Sequence, residues 1–258
     1  MKIARFSHKG AINFGILDED EGGGTELVVL NGDPMFAGFD TTGERVPLAD
    51  ATLLAPVIPR SKVVAVGKNY QDHVDEMKTG EAPKEPLLFL KPNTSVIGPG
   101  DTIVRPPQSN RVDFEGELAV VIGSVAKNVA AADADSVIFG YTVANDVTAR
   151  DLQQRDGQWA RAKGFDTFCP LGPVIETEFD LAGSTVETRL NGVLKQSAPL
   201  TDMIHSVPEI IAYASAVFTL LPGDVILTGT PAGIDYMESG DQVEVEIAGI
   251  GMLANNFA

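Results

Sequence analysis

The chain has 258 residues, enough for one large domain or a large one joined to a small one. Hydrophobic content of 44% with 21% charged residues describes a globular chain with a core, and no apolar run reaches the roughly 18 residues of a membrane span, which argues against a membrane partner. A net charge of -17 repels phosphate backbones and argues against nucleic acid as a partner.

The amino terminus, MKIARFSHKG, carries no hydrophobic signal region and reads as a first strand, so a cytoplasmic location is expected. Residues 1–58 read as a small β module in which KIARF, INFGIL and ELVVL are short strands. The acidic run DEDEGGG at 18–24 places Gly22, Gly23 and Gly24 at a hairpin tip, because no helix with a Lys-Ser/Thr pair follows to make a phosphate loop. Pro56, Pro59 and Arg60 mark a boundary, and residues 59–258 form the larger unit.

From Lys62, KVVAVG is a buried strand by composition. Tyr70 to Lys78 has helical residues and no breaker, and His73 and Glu76 lie at i, i+3 on one face of it. Residues 79–86 are polar and proline-bearing, as a mobile loop or lid would be, and LLFLK (87–91) is a strand ending in Lys91. Val112 to Ile122, VDFEGELAVVI, reads as one strand. Its spacing puts Asp113, Glu115 and Glu117 on one face, ahead of an apolar run.

A helix-like piece follows at 130–136, then the strand FGYTVAND (139–146), then a polar helix from Thr148 or Ala149 to Gln154. Lys163 opens a turn-rich stretch. The lone Cys169 rules out an intramolecular disulfide and a cysteine-based zinc site, and reads as a small buried hydrophobe. Residues 185–195 are a hairpin about Asn191-Gly192. Residues 206–220 are an amphipathic helix with Ser206 as N-cap, and QVEVEI and GMLANNF close the chain as strands. The pattern is mainly β with a few helices, an α+β chain rather than an alternating βαβ one.

The chemistry-bearing residues gather at strand ends: Glu115, Glu117, Asp146, Lys163 and Thr230, with the His73/Glu76 pair. Three carboxylates in close company call for a cation, and oxygen donors suit Mg²⁺ or Mn²⁺ better than zinc; the competing reading is a solvated acidic edge. A histidine beside a glutamate takes a proton from water near neutral pH, or it caps a surface helix. Lys163 either stabilises an oxyanion or is solvated.

Seven motifs standing in order carry a resemblance: GKNYQDHVDE (67–76), LFLKP (88–92), VDFEGELAVVIG (112–123), YTVANDVTARDLQ (141–153), KGFDTFCPLGP (163–173), RLNG (189–192) and LTGTPAG (227–233). The chain resembles the fumarylacetoacetate hydrolase family, in its smaller bacterial branch of acylpyruvate hydrolases, oxaloacetate decarboxylases and homoprotocatechuate-pathway isomerases. The resemblance implies a mixed β-sandwich roll, usually a homodimer, holding one Mg²⁺ or Mn²⁺ per chain. By motif position, Glu115, Glu117 and Asp146 resemble the metal ligands, and Asp113 a neighbour of them. His73 and Glu76 resemble a water-activating pair on a short helix that orders with substrate. Lys163 resembles the lysine that neutralises enolate charge. Arg150, Gln153 and Thr230 match positions that hold substrate carboxylate or carbonyl groups.

The activity expected from this resemblance is metal-dependent hydrolysis of the C–C bond of an acylpyruvate-type 2,4-diketo acid, such as fumarylpyruvate or acetylpyruvate, to pyruvate and an acid. Oxaloacetate decarboxylation and 2-hydroxyhepta-2,4-diene-1,7-dioate isomerisation in aromatic catabolism are the alternatives. A non-catalytic metal-binding β protein should have lost one of His73, Glu76 or Lys163, and none is lost.

Overall fold

A computed structural model describes residues 1–19, 24–78 and 80–258. The expected hairpin tip at Gly22, Gly23 and Gly24 falls largely outside the described residues. The architecture is mostly β, as the sequence pattern predicts. Among the described residues a twelve-stranded sheet and a five-stranded sheet carry most of the chain, with a two-stranded ribbon beside them.

The strand Gly116–Ile122 lies in the interior of the large sheet, antiparallel to Ile138–Asn145 on one side and to Val225–Leu227 on the other. Its apolar run is continuous because both faces are buried. Leu118, Val120 and Ile122 point into a core shared with the helix Val207–Val217 and with Val245 and Ile247 of the smaller sheet. Ala119 and Val121 point into the opposite core, with Val63, Ala65 and Leu227. The alternation of strand side chains therefore decides which sheet face each residue near the site enters.

The amino-terminal strands do not form a sheet of their own. Lys2–His8 pairs with Cys169–Glu176, Lys2 opposite Glu176, so the first four strands extend the large sheet. The Met1 ammonium donates to the Glu176 carboxylate at 2.6 Å. The other edge of the sheet is the strand Leu87–Lys91, antiparallel to Val63–Gly67.

Two sequence expectations change in shape. The single strand over 112–122 is broken: Val112–Asp113 pairs with Thr148–Ala149 in the ribbon, and Gly116–Ile122 belongs to the large sheet. The break arises because the Phe114 N–H donates to the Asp235 carbonyl, while Glu115 turns its N–H to the Asn145 side chain and its carbonyl to the Asp146 N–H. The helix expected over 206–220 spans Val207–Val217, since Phe218 is extended. Ser206 caps it, its N–H and hydroxyl both donating to Glu209 at 2.8 Å. The hairpin turns at Asn191 and Gly192, both at positive φ (51° and 77°), as its Asn-Gly pair predicts. The piece around 130–136 is a 3-10 helix, Ala131–Val137.

Candidate active site

Where Gly116–Ile122 begins and Ile138–Asn145 ends, the sheet brings three carboxylates together. One oxygen each of Glu115, Glu117 and Asp146 lies within 4.8 Å of the others, and all three residues are buried. Glu117 enters from the strand itself, Glu115 from the break before it, and Asp146 from the residue after the neighbouring strand. Asp113 does not join them. Its carboxylate takes Arg111 Nε (2.9 Å) and Arg150 Nε (2.9 Å) instead, because the break directs it toward the ribbon.

Three buried cations face the cluster. Lys163 Nζ donates to Glu115 Oε2 and Asp146 Oδ2, each at 2.6 Å. Lys91 Nζ donates to the other oxygen of Asp146 at 2.5 Å. The Arg150 guanidinium spreads over Asp113, Glu115 and Gln153 Oε1, the last at 2.7 Å. Glu117 is different: among the described residues it makes no ion pair, and its Oε2 accepts the Gly229 N–H at 2.6 Å.

The charges follow from this arrangement. Burial would raise the Glu115 carboxyl, but Lys163 and Arg150, with His73, hold it below its ordinary value. Burial pushes Glu117 well above its ordinary value, and the Asp146 and Glu115 carboxylates add to the push. Burial opposes charge on Lys163, yet Asp146 and Glu115 outweigh it and raise the ammonium. An all-oxygen donor set with one carboxylate lacking a cation partner is the environment a hard divalent ion satisfies, so the residues fit Mg²⁺ or Mn²⁺.

A cavity of about 210 Å³ opens on the carboxylates. His73, Arg150, Gln153, Lys163 and Thr230 line it together with the three carboxylates, and Glu76 does not. His73 sits on the helix Gln71–Met77, its Nδ1 3.3 Å from Glu76 Oε2. Glu76 accepts the Gly233 N–H at 3.1 Å, which ties the helix to the 229–233 turn. The Thr230 hydroxyl is engaged on both sides. It donates to the Gly116 carbonyl at 2.9 Å and accepts from Gln196 Nε2 at 2.8 Å.

Sequence reasoning assigned no role to Lys91, Phe89, Trp159 or Gln196. Lys91 had a signal, a lysine ending an apolar strand just before Pro92. Phe89 and Trp159 meet edge-on with centroids 5.2 Å apart and form an apolar wall of the cavity, with Lys163 Nζ 5.2 Å from the Phe89 ring centre. Cys169 is fully buried, as expected of a small hydrophobe.

Residues 62–258 match the family model described as fumarylacetoacetate (FAA) hydrolase C-terminal, and residues 1–56 match one described as Rv2993c-like, N-terminal. The mitochondrial oxaloacetate tautomerase FAHD2A of Homo sapiens is 44% identical over 222 residues, covering 81% of this chain and 70% of that protein. The solved structure of 5-carboxymethyl-2-hydroxymuconate delta-isomerase from Mycobacterium smegmatis is similar at TM-score 0.92 and 45% identity, covering 100% of this chain and 99% of that one. That of fumarylpyruvate hydrolase from Pseudomonas aeruginosa, in complex with Mn²⁺ and pyruvate, has TM-score 0.73 and 31% identity over 78% of this chain and 91% of that one. No helix among the described residues is long and apolar enough to cross a membrane.

Proposed function

The chain belongs to the fumarylacetoacetate hydrolase family, a family of enzymes, and on that premise we propose that it hydrolyses the C–C bond of an acylpyruvate-type 2,4-diketo acid. The observation that carries this reading is His73, paired with Glu76, at the cavity that opens on the three carboxylates, since hydrolysis needs a base for water where loss of CO₂ from oxaloacetate needs none. A divalent Mg²⁺ or Mn²⁺ ion held by Glu115, Glu117 and Asp146 supplies Lewis-acid stabilisation of charge on the keto-acid oxygens.

The chain's own residues do the rest. With Nδ1 turned to Glu76, His73 keeps Nε2 for the cavity and takes a proton from water there. Water oxygen bonds to the 4-carbonyl carbon, the C3–C4 bond breaks, and its electron pair leaves with the pyruvate fragment as an enolate. A proton returns to C3, giving pyruvate and an acid. Lys163, held charged by its neighbours, offsets the negative charge as it develops. Arg150 and Gln153 orient the carboxylate end, and Phe89 and Trp159 keep bulk water from the opposite side.

A second reading is keto–enol tautomerisation or isomerisation, favoured by the 44% and 45% identity to proteins bearing those names. It uses the same pocket and moves a proton without adding water. The deciding experiment supplies acetylpyruvate, fumarylpyruvate and oxaloacetate with Mg²⁺. It measures pyruvate release, CO₂ release and the loss of enol absorbance separately. Pyruvate from the diketo acids supports the hydrolase; enol loss on oxaloacetate with no cleavage of any substrate sinks it.

The same proposal divides the chain at residues 58 and 59, supported by the two matched stretches 1–56 and 62–258. It includes a cytoplasmic homodimer, whose mass light scattering would measure.

A further inference from the structure

The ladder between Gly116–Ile122 and Val225–Leu227 pairs only Ala119, Val120 and Val121 with its partner strand. Thr228 extends it by donating its N–H to the Leu118 carbonyl at 3.1 Å, and beyond that point Gly116 has no strand on this side. Side chains finish the ladder. Gln196 Oε1 accepts the Gly116 N–H at 2.9 Å, and the Thr230 hydroxyl donates to the Gly116 carbonyl. Gln196 Nε2 closes the ring by donating to Thr230 Oγ1 and to the Pro231 carbonyl, each at 2.8 Å.

Gln196 comes from the other sheet, on the strand Val193–Pro199, and is 1% exposed. A buried carboxamide costs stability unless its donors and acceptor are matched, and a leucine would serve packing as well. Here one acceptor and two donors are matched, all to the segments that carry the site. Gly116 makes the approach possible: a Cβ there would lie 2.1 Å from Thr188 Oγ1 and 3.3 Å from Gln196 Oε1. Glu115 and Glu117 leave the chain on either side of Gly116. A rotation of the Gly116 peptide therefore displaces both carboxylates at once.

We propose that Gln196 is a positioning residue of the acidic site: it locks Gly116 to the Thr230–Pro231 turn and so sets the spacing of Glu115 and Glu117. The role rests on these carboxylates holding a divalent ion, as the proposed function requires. Groups that orient metal ligands without touching the metal commonly change affinity by about 10–100-fold when removed.

The test is Mn²⁺ binding to the full chain, stripped of metal and measured by calorimetry without substrate. Q196L removes the clasp at similar volume. V186A, a buried apolar truncation on the paired strand Thr185–Leu190, is the control for lost stability alone. The expected result is a Kd about 10–100-fold weaker in Q196L, with V186A within about two-fold of wild type at a comparable loss of Tm. Should Q196L fail to fold, Q196N keeps the polarity but is too short to span the clasp, and the same weakening is expected of it. Mn²⁺ affinity unchanged in the folded Gln196 variant, or equally weakened in V186A, overturns the proposal. Wild type that binds no Mn²⁺ overturns the metal site and this role together.

Discussion

His73 Nδ1 lies 3.3 Å from Glu76 Oε2, one turn along a helix that begins immediately after the strand-end segment at Tyr70. The other carboxylate oxygen of Glu76 is tied to the Gly233 N–H. The glutamate is thus fixed at one end by backbone and orients the imidazole with the other.

If His73 is the base for water, H73A should lower acylpyruvate cleavage by about 10²–10⁴-fold. E76Q keeps a hydrogen-bonding oxygen for the ring but loses the charge, and should fall less. The measurement is kcat/KM at one pH with saturating Mg²⁺. An H73A enzyme within a few-fold of wild type would remove His73 from this role.

Glu117 lacks the cation partners that Glu115 and Asp146 have, so a bound ion gives it most. E117A should abolish Mn²⁺ binding by calorimetry while Tm without metal holds or rises, because the change relieves repulsion among buried carboxylates. Chelation of the wild type should abolish activity, and either Mg²⁺ or Mn²⁺ should restore it. A variant that binds Mn²⁺ normally would exclude Glu117 as a ligand.

The helix Gln71–Met77 reaches the site through His73 and the Glu76–Gly233 bond. Oxalate, a pyruvate mimic, should slow amide exchange across residues 71–78 in the metal-loaded protein, as closure over a ligand does. Exchange there that is already slow and indifferent to oxalate would argue against a closing element.

Burial pushes the Cys169 thiol up to about 12. The thiolate is the reactive form, so near neutral pH the folded protein holds very little of it. Ellman's reagent at pH 8 should therefore leave the native chain unmodified and titrate one thiol after denaturation. Rapid native labelling would show that the region opens.

Much of the site is legible in the sequence because its residues sit at strand ends, where composition changes abruptly from apolar to charged. Glu117 and the run after it are visible in this way, and so is Asp146 after its own strand. The break at Phe114 and Glu115 is not visible. Alternation continues through it, and its cause is an acceptor at Asp235 far along the chain. Asp113 shares the spacing of the two glutamates and yet belongs to Arg111 and Arg150. Gln196 is hidden for the same reason, since its three partners lie 34 to 80 residues away. Local patterning reports which face is buried; it does not report which distant backbone groups need a partner.

The pairing of Lys2–His8 with Cys169–Glu176 has a consequence for anyone trimming this chain to a minimal fragment. The two units are divisible on a sequence map but share one hydrogen-bonded ladder. Deleting the first unit would bare Ile175 and its neighbours along a fresh strand edge, the kind of edge that recruits other chains into aggregates. A fusion partner attached ahead of Met1 would compete with the Glu176 contact at the same seam.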